Sequence, residues 1–581
     1  MNSRWTIVAI AALSACSPPV SPPNDSAVDT ATVGDAMGGD AMGDDAMGGD
    51  ASLEDVAPDA TSSDGGRCVV APSTDPAIVA TDKGRVRGTV DTDVRVFLGI
   101  PFAEPPVGAR RFRAPVEHAC WSDDRDATRF GAICPQVNDD GNPVGNEDCL
   151  TLNVYAPTVS PATPLPVLFF IHGGGNNQGS AQVLASATQG RGFYDGRSLA
   201  RRGAVVVTIQ YRLGALGFLS SEALDRESAT EPSGAQGIRD QILALRWVQR
   251  NIGRFGGDSS KVMVFGESAG GLDTMLLVSS PRAAGLFSSA LSQSGGLVAN
   301  TQAVARAATQ RLVTAASCAS AMDPLACLRS KTPAELLMAL PPAVTGLTNS
   351  DFVPAIDGDV LPESPIERIR SGRHNQVPIV YGTNSEETSR MVAPAAMVQT
   401  QADFERFARP YLAQYALSPT QVSAALALYA PSNFASPHEA LVALTTDTRW
   451  TCPARANLRA VVMGQRVPAF RYFFTHRHDA RIAPMLSAFG AYHGIELGYV
   501  FGTVDGLLGY RPTPADRAVI DAVQTSWIRF AATGSLSTGS PMWPTYDAAT
   551  DPYLELSSAP AARTNVRGER CDSLARIVMG G

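Results

Sequence analysis

The sequence predicts an α/β protein in which helices flank a large, mostly parallel central sheet. Three observations lead there. Short apolar runs at residues 165–171, 204–210 and 261–265 read as buried strands, because strands covered on both faces lose polar alternation. An amphipathic stretch at 236–252 reads as a helix between the second and third runs, and such alternation implies a parallel sheet with helices on its faces. Beyond Cys68 there is no low-complexity break and no apolar run of 18 or more residues, so 68–581 is expected to be one large domain.

Composition supports a core of that size. Of the 581 residues, 44% are hydrophobic and 18% charged, which excludes a wholly disordered, collagen-like or coiled-coil chain. The formal charge is −9, from 47 bases and 56 acids. Residues 17–67 hold eleven acids against the single base Arg67, and the only charge before them is Arg4, so 68–581 is about neutral. No basic patch of the size nucleic-acid binding needs is expected.

The first residues read as an export signal, 1–15. Arg4 gives a weak positive region, residues 5–13 an apolar stretch too short to span a bilayer, and Ala15 a small residue before cleavage. Leu13-Ser14-Ala15-Cys16 resembles the lipobox of bacterial lipoproteins, which implies that Cys16 becomes the lipidated first residue of the mature chain. An ordinary signal peptide cleaved nearby, with Cys16 incidental, is the alternative. Cysteine arithmetic favours the lipid, since nine cysteines less Cys16 leave an even eight for disulfides outside the cytoplasm. Ser17 is not the aspartate associated with inner-membrane retention, so the outer membrane is the expected destination, with secretion as the alternative.

Residues 16–67 then form an Asp/Gly/Ala/Met-rich linker with the tandem repeat DAMGG-DAMGD-DAMGG at 35–49. Such a composition cannot pack a core. As a flexible chain, residues 17–67 would reach about 40 Å, enough to hold a domain clear of a membrane. A calcium-binding strip is the alternative, but the repeat lacks a ligand-dense loop.

The chemistry is written after the strands. Following 261–265 stands Gly266-Glu267-Ser268-Ala269-Gly270-Gly271 and then an apolar helical stretch, 272–279. This strand–turn–helix context is what a G-x-S-x-G nucleophile elbow requires, with glycines where the turn is crowded and Ser268 carried above the sheet edge. A serine hydroxyl needs a base, and the tetrahedral intermediate needs donors aimed at its oxyanion. Directly after 165–171 comes His172-Gly173-Gly174-Gly175, so Gly174 and Gly175 are expected to offer backbone N–H groups, joined by that of Ala269.

These motifs, with Glu147-Asp148-Cys149-Leu150-Thr151-Leu152-Asn153-Val154, Asp240-Gln241, Asn251-Ile252 and Phe255-Gly256-Gly257-Asp258, make the chain similar to type-B carboxylesterases of the cholinesterase family from about 75 to 575. The resemblance implies an α/β-hydrolase fold and a serine esterase that needs neither cofactor nor metal. It places the acid at Glu387 of Gly382-Thr383-Asn384-Ser385-Glu386-Glu387, with Glu386 as runner-up, and the base at His493 of Tyr492-His493-Gly494-Ile495-Glu496-Leu497. The order Ser268, Glu387, His493 is that of nucleophile, acid and base in this fold. Ser294 matches a serine that hydrogen-bonds near the acid and the histidine. Glu267 is expected to be a structural carboxylate. Asp273 departs from the small residue usual there, and is either paired or a perturber of the site. His476 and His478 suggest a metal pair, but without further clustered ligands a solvated turn is expected.

The resemblance also pairs Cys134 with Cys149, Cys318 with Cys327 and Cys452 with Cys571, leaving Cys68 and Cys120 for each other. Two function classes follow: an ester hydrolase, with lipase, amidase or lactonase activity open on the same triad, or a binding or adhesion protein of the same fold. The intact triad and glycine loop favour the enzyme. Choline-ester specialists of the family carry a tryptophan between the first two paired cysteines, but residues 134–149 contain no aromatic, so neutral esters are the expected substrates. The oligomeric state is not legible.

Overall fold

The computed structural model describes residues 68, 70–158, 163–182, 192–228, 230–341, 347, 351–506 and 510–579. The expected signal peptide, Cys16 and the expected linker fall on residues 1–67, outside the described residues. The described chain builds one sheet from β1 (Thr89–Asp91), β2 (Val94–Pro101), β3 (Thr151–Pro157), β4 (Leu165–Ile171), β5 (Val205–Ile209), β6 (Gly257–Glu267), β7 (Ser289–Gln293), β8 (Ile379–Asn384), β9 (Ala469–Phe474), β10 (Pro552–Leu556) and β11 (Ala561–Thr564). Their spatial order is β11-β10-β9-β8-β7-β6-β4-β5-β3-β2-β1. From β5 across to β10 every pairing is parallel, and antiparallel strands close both edges.

Side chains leave each buried strand alternately, so an unbroken apolar run feeds two cores at once. In β4, Val167, Phe169 and Ile171 join the core on one face while Leu168 and Phe170 join that on the other. The first face is covered by α1 (Gln236–Asn251) and α2 (Ala269–Ser279), whose Ile242, Leu245 and Met275 belong to that core. The second is covered by α3 (Ile495–Phe501) and α4 (Pro514–Thr533), through Tyr499, Val523 and Trp527. A capping box starts α4: Thr513 Oγ1 accepts from Asp516 N, and the Asp516 carboxylate accepts from Thr513 N. A smaller third cluster joins helices Gln401–Ala413, Pro419–Leu428 and Pro437–Thr446 to Leu574 near the C-terminus.

The expected strand 261–265 extends to Gly257–Glu267, with a register shift between Gly257 and Val262 where polar Asp258, Ser259 and Ser260 interrupt the apolar run. The helix after the elbow begins at Ala269 rather than at 272, because one residue makes the whole turn. The chain passes from β4 outward to β5 and then returns to lay β6 on the other side of β4. This topological switch opens a crevice at the carboxyl ends of β4 and β6, where sites form in open α/β sheets. Disulfides join Cys68–Cys120, Cys134–Cys149, Cys318–Cys327 and Cys452–Cys571, as expected. Among the described residues no helix is long and apolar enough to cross a membrane.

Candidate active site

Residues far apart in the sequence meet at the carboxyl end of the sheet. Ile171, the last residue of β4, pairs in register with Gly266 of β6, so the His172–Gly175 loop and the Ser268 turn leave the sheet side by side. Ser268 has φ 58° and ψ −119°, a conformation that costs a residue with a side chain on the order of 1–3 kcal/mol. It is held by its own N–H donating to Gln293 O at 2.8 Å and by Leu272 N–H donating to Ser268 O at 2.9 Å. The crowding explains the flanking glycines: a Cβ at Gly270 would stand 2.0 Å from Ile171 O, and one at Gly266 would stand 2.4 Å from Gly270 O.

The neighbouring strand ends add the other groups. Glu387 follows β8 and is fully buried; its Oε1 accepts from Ser294 Oγ at 2.6 Å and from Asn384 N at 2.7 Å. Its Oε2 stands 2.7 Å from His493 Nδ1, so the ring donates from Nδ1 and leaves Nε2 as its other face. His493 N also donates to Glu387 O at 3.1 Å. Glu386, the runner-up, is turned elsewhere: its carboxylate accepts from Ala491 N at 2.8 Å and Arg477 Nη2 at 2.6 Å.

Glu267, expected as a structural carboxylate, proves to be a neighbour of the imidazole, with Oε1 3.1 Å from His493 Nε2. The contact lacks hydrogen-bond alignment, and Oε1 has no hydrogen-bond partner among the described residues. Burial pushes the Glu267 carboxyl up to about 8, opposed by His493 and helped by Glu496 and Glu387. Glu496 is likewise raised to about 7, by burial first and then by the charge of Glu387. It accepts from Asn384 Nδ2 at 2.6 Å and Gln293 Nε2 at 3.1 Å. Burial alone would lower His493, but Glu267, Glu387 and Glu496 outweigh it and raise the ring to about 9. Glu267, Glu496 and His493 thus compete for protons within one buried site.

The glycine loop is bridged by main-chain contacts from the residues that follow it. Gly174 has φ +109° and Gly175 φ +65°, and Gly174 O accepts from Asn177 N and Gln178 N, each at 3.1 Å. Neither Gly174 N nor Gly175 N donates to a backbone acceptor among the described residues. His172 lies inside, stacked on Tyr211 with ring centroids 4.5 Å apart, and burial pushes it down to about 4. It is therefore a neutral packing residue. Asp273, left open by the sequence, is paired: its carboxylate accepts from Asn176 Nδ2 at 3.0 Å and Gln241 Nε2 at 2.6 Å.

Two features depart from the sequence reading. His476 and His478 do not lie in a solvated turn. His478 is 2% exposed, with its ring centroid 4.8 Å from that of Tyr510, while His476 Nε2 stands 2.8 Å from Asp516 Oδ1. Tyr492, Tyr499 and Tyr510 bury His478, Tyr499 also meets the half-buried His476 ring, and nothing within 475–479 announces those partners. Trp450 is the second: its ring centroid lies 5.0 Å from that of His493, on the π-helical turn Asp447–Thr451. Its only sequence signal is an apolar aromatic before Cys452. The Arg449 guanidinium lies over this ring, 5.3 Å from its centroid.

A strained serine after a parallel strand, a glycine loop at the adjoining strand end and a buried Glu–His pair define an α/β-hydrolase. The chain matches the Carboxylesterase family over residues 75–574. It is 33% identical over 511 residues to the para-nitrobenzyl esterase of Bacillus subtilis (strain 168), covering 86% of this chain and 98% of that protein. The fumonisin B1 esterase of Sphingopyxis macrogoltabida is 32% identical over 501 residues, covering 82% and 86%. Human carboxylesterase 3 is 33% identical over 532 residues, covering 84% and 88%. A solved PNB esterase structure superposes with a TM-score of 0.72 at 32% identity, covering 86% of this chain and 99% of that one. The protein belongs to the carboxylesterase family and is a carboxylic ester hydrolase.

Proposed function

We propose that the protein hydrolyses neutral carboxylic esters through an acyl-enzyme on Ser268, with His493 as base and acid and Glu387 as its orienting carboxylate. The observation that carries this reading is the 2.7 Å Glu387–His493 contact, made beside the residue that precedes the strained Ser268. His493 Nε2 takes the Ser268 proton as Oγ attacks the ester carbon. The N–H groups of Gly174, Gly175 and Ala269 receive the oxyanion, His493 returns the proton to the leaving alcohol, and water repeats the cycle to release the acid. Ser294 keeps Glu387 in place.

Neutral esters are favoured because residues 134–149 offer no aromatic face, and Trp450, beside His493, already carries the Arg449 cation over its ring. A quaternary ammonium would meet a like charge there. Four disulfides fit an oxidising compartment outside the cytoplasm. Lipidation at Cys16 would tether the enzyme to a membrane surface, the outer membrane being the preferred site. The test is a panel of nitrophenyl esters of graded acyl length beside matching anilides, run on wild type and Ser268→Ala. Turnover that survives Ser268→Ala, or faster anilide than ester cleavage, overturns the reading.

A further inference from the structure

Asp273 is fully buried, and no Lys, Arg or His lies within ion-pair distance of it among the described residues. A lone carboxylate in such a place is expensive and calls for a role. It stands in the second turn of α2, the helix that begins at Ala269, and its two amide partners come from different elements. Gln241 belongs to α1, which backs the sheet. Asn176 belongs to the glycine loop, immediately after Gly175.

Asn176 is held at both side-chain polar atoms and at its main-chain oxygen. Its Nδ2 donates to Asp273, its Oδ1 accepts from Tyr211 OH at 3.0 Å, and its main-chain O accepts from Gly214 N at 2.7 Å. Tyr211 OH also lies 2.9 Å from His172 O, at the other end of the three glycines, so its one proton is shared between the two oxygens. Asn176 has φ 58°, the left-handed region, and is fully buried. Glycine loops have no side chains of their own to fix them. Here the fixing contacts are made by the residues on either side.

We propose that Asp273 is a positioning residue that, through Asn176, ties the loop bearing Gly174 and Gly175 to the helix bearing Ala269. It thereby holds the two sets of backbone donors in one geometry above Ser268. The proposal rests on the reading of Ser268 as nucleophile. Burial pushes the Asp273 carboxyl up to about 7, with the Asn176 and Gln241 hydrogen bonds pulling against it. Beyond those amides the groups facing it are the Tyr211 phenol and, stacked on that, the neutral His172. The nearby Arg212 and Asp240 are closed on each other at 2.6 Å. An ionised Asp273 accepts from both amides, whereas a protonated one presents an O–H to a donor, so the tie loosens as pH falls through about 7.

The test compares wild type with Asp273→Ser, too short to reach Asn176, and Asp273→Asn, which keeps the shape but meets two donors with a single acceptor. Removing one oxyanion donor lowers kcat about 10²–10³-fold, and a displaced donor less, so Asp273→Ser is expected to lower kcat about 10–100-fold with KM within about threefold. Affinity for a trifluoromethyl ketone, which mimics the tetrahedral state, should fall by a similar factor. Asp273→Asn should lie between, and should lose the component of the acid limb that Asp273 adds. Deuterium exchange at residues 172–178 should quicken in Asp273→Ser. Unchanged exchange there, or an Asp273→Ser kcat within twofold of wild type, overturns the proposal. Wild type inactive on all esters would instead remove the Ser268 reading, while exchange would still decide whether the tie exists.

Discussion

Replacing Glu267 by Gln tests whether the carboxylate beside Nε2 sets the working pH of His493. The side chain keeps its size and loses its charge, 3.1 Å from the ring nitrogen. Two unit charges at that distance interact by about 1.3 kcal/mol at the dielectric constant of water and by about 5 kcal/mol at an effective value of about 20. At about 1.4 kcal/mol per pKa unit, the bounds are about one and four units. Glu267 is itself raised to about 8 by burial, so it spends part of the neutral range protonated, and the low end of that span applies. The sign follows from the charges. A neighbouring anion favours imidazolium, and imidazolium cannot accept the Ser268 proton, so removing the anion moves the acid limb to lower pH. The assay is kcat/KM for a nitrophenyl butyrate from pH 5 to 10 at constant ionic strength. The acid-limb midpoint of Glu267→Gln is expected about one unit or more below that of wild type, even if the plateau drops. An unmoved or higher midpoint would falsify the electrostatic account of this contact.

Ser268→Ala is expected to lower ester turnover by about 10⁴ or more while the far-ultraviolet spectrum and melting temperature stay near wild type. Glu387→Gln should cost several powers of ten, whereas Glu386→Gln should retain most activity, because Glu386 bonds Ala491 N and Arg477 rather than His493. The opposite ranking would move the acid to Glu386. A choline ester should be cleaved with lower kcat/KM than its isosteric neutral alkyl ester at moderate salt, because a free aromatic face would be worth up to about thirtyfold in affinity, residues 134–149 offer none and Arg449 covers Trp450. Cys16→Ser should shift the protein from the membrane to the soluble fraction. Wild type found wholly soluble with an unmodified mature N-terminus would refute the anchor.

What the sequence revealed and what it hid divide along a physical line. β4 and β5 were legible because a strand buried on both faces must be apolar throughout, which leaves a continuous run in the text. The elbow was legible because its geometry admits few residue types: with 2.0 Å between a Cβ at position 270 and Ile171 O, only glycine fits. Each of these constraints acts within a few residues. The groups that tune the site obey constraints between distant elements, and no local pattern records them. Glu496 lies inside a recognised segment, yet its role comes from Gln293 and Asn384 on two other strand ends. His478 reads as a polar turn residue until three tyrosines from downstream bury it and push it down to about 4. Asp273 was conspicuous as a departure, but the residue that explains it, Asn176, is the one after the third glycine of a loop whose interest had ended with the glycines. Local motifs single out Ser268, Glu387 and His493 as the candidate reacting groups. The carboxylates around His493 and the Asp273–Asn176 contact join distant elements and become visible only when the strand ends are brought together.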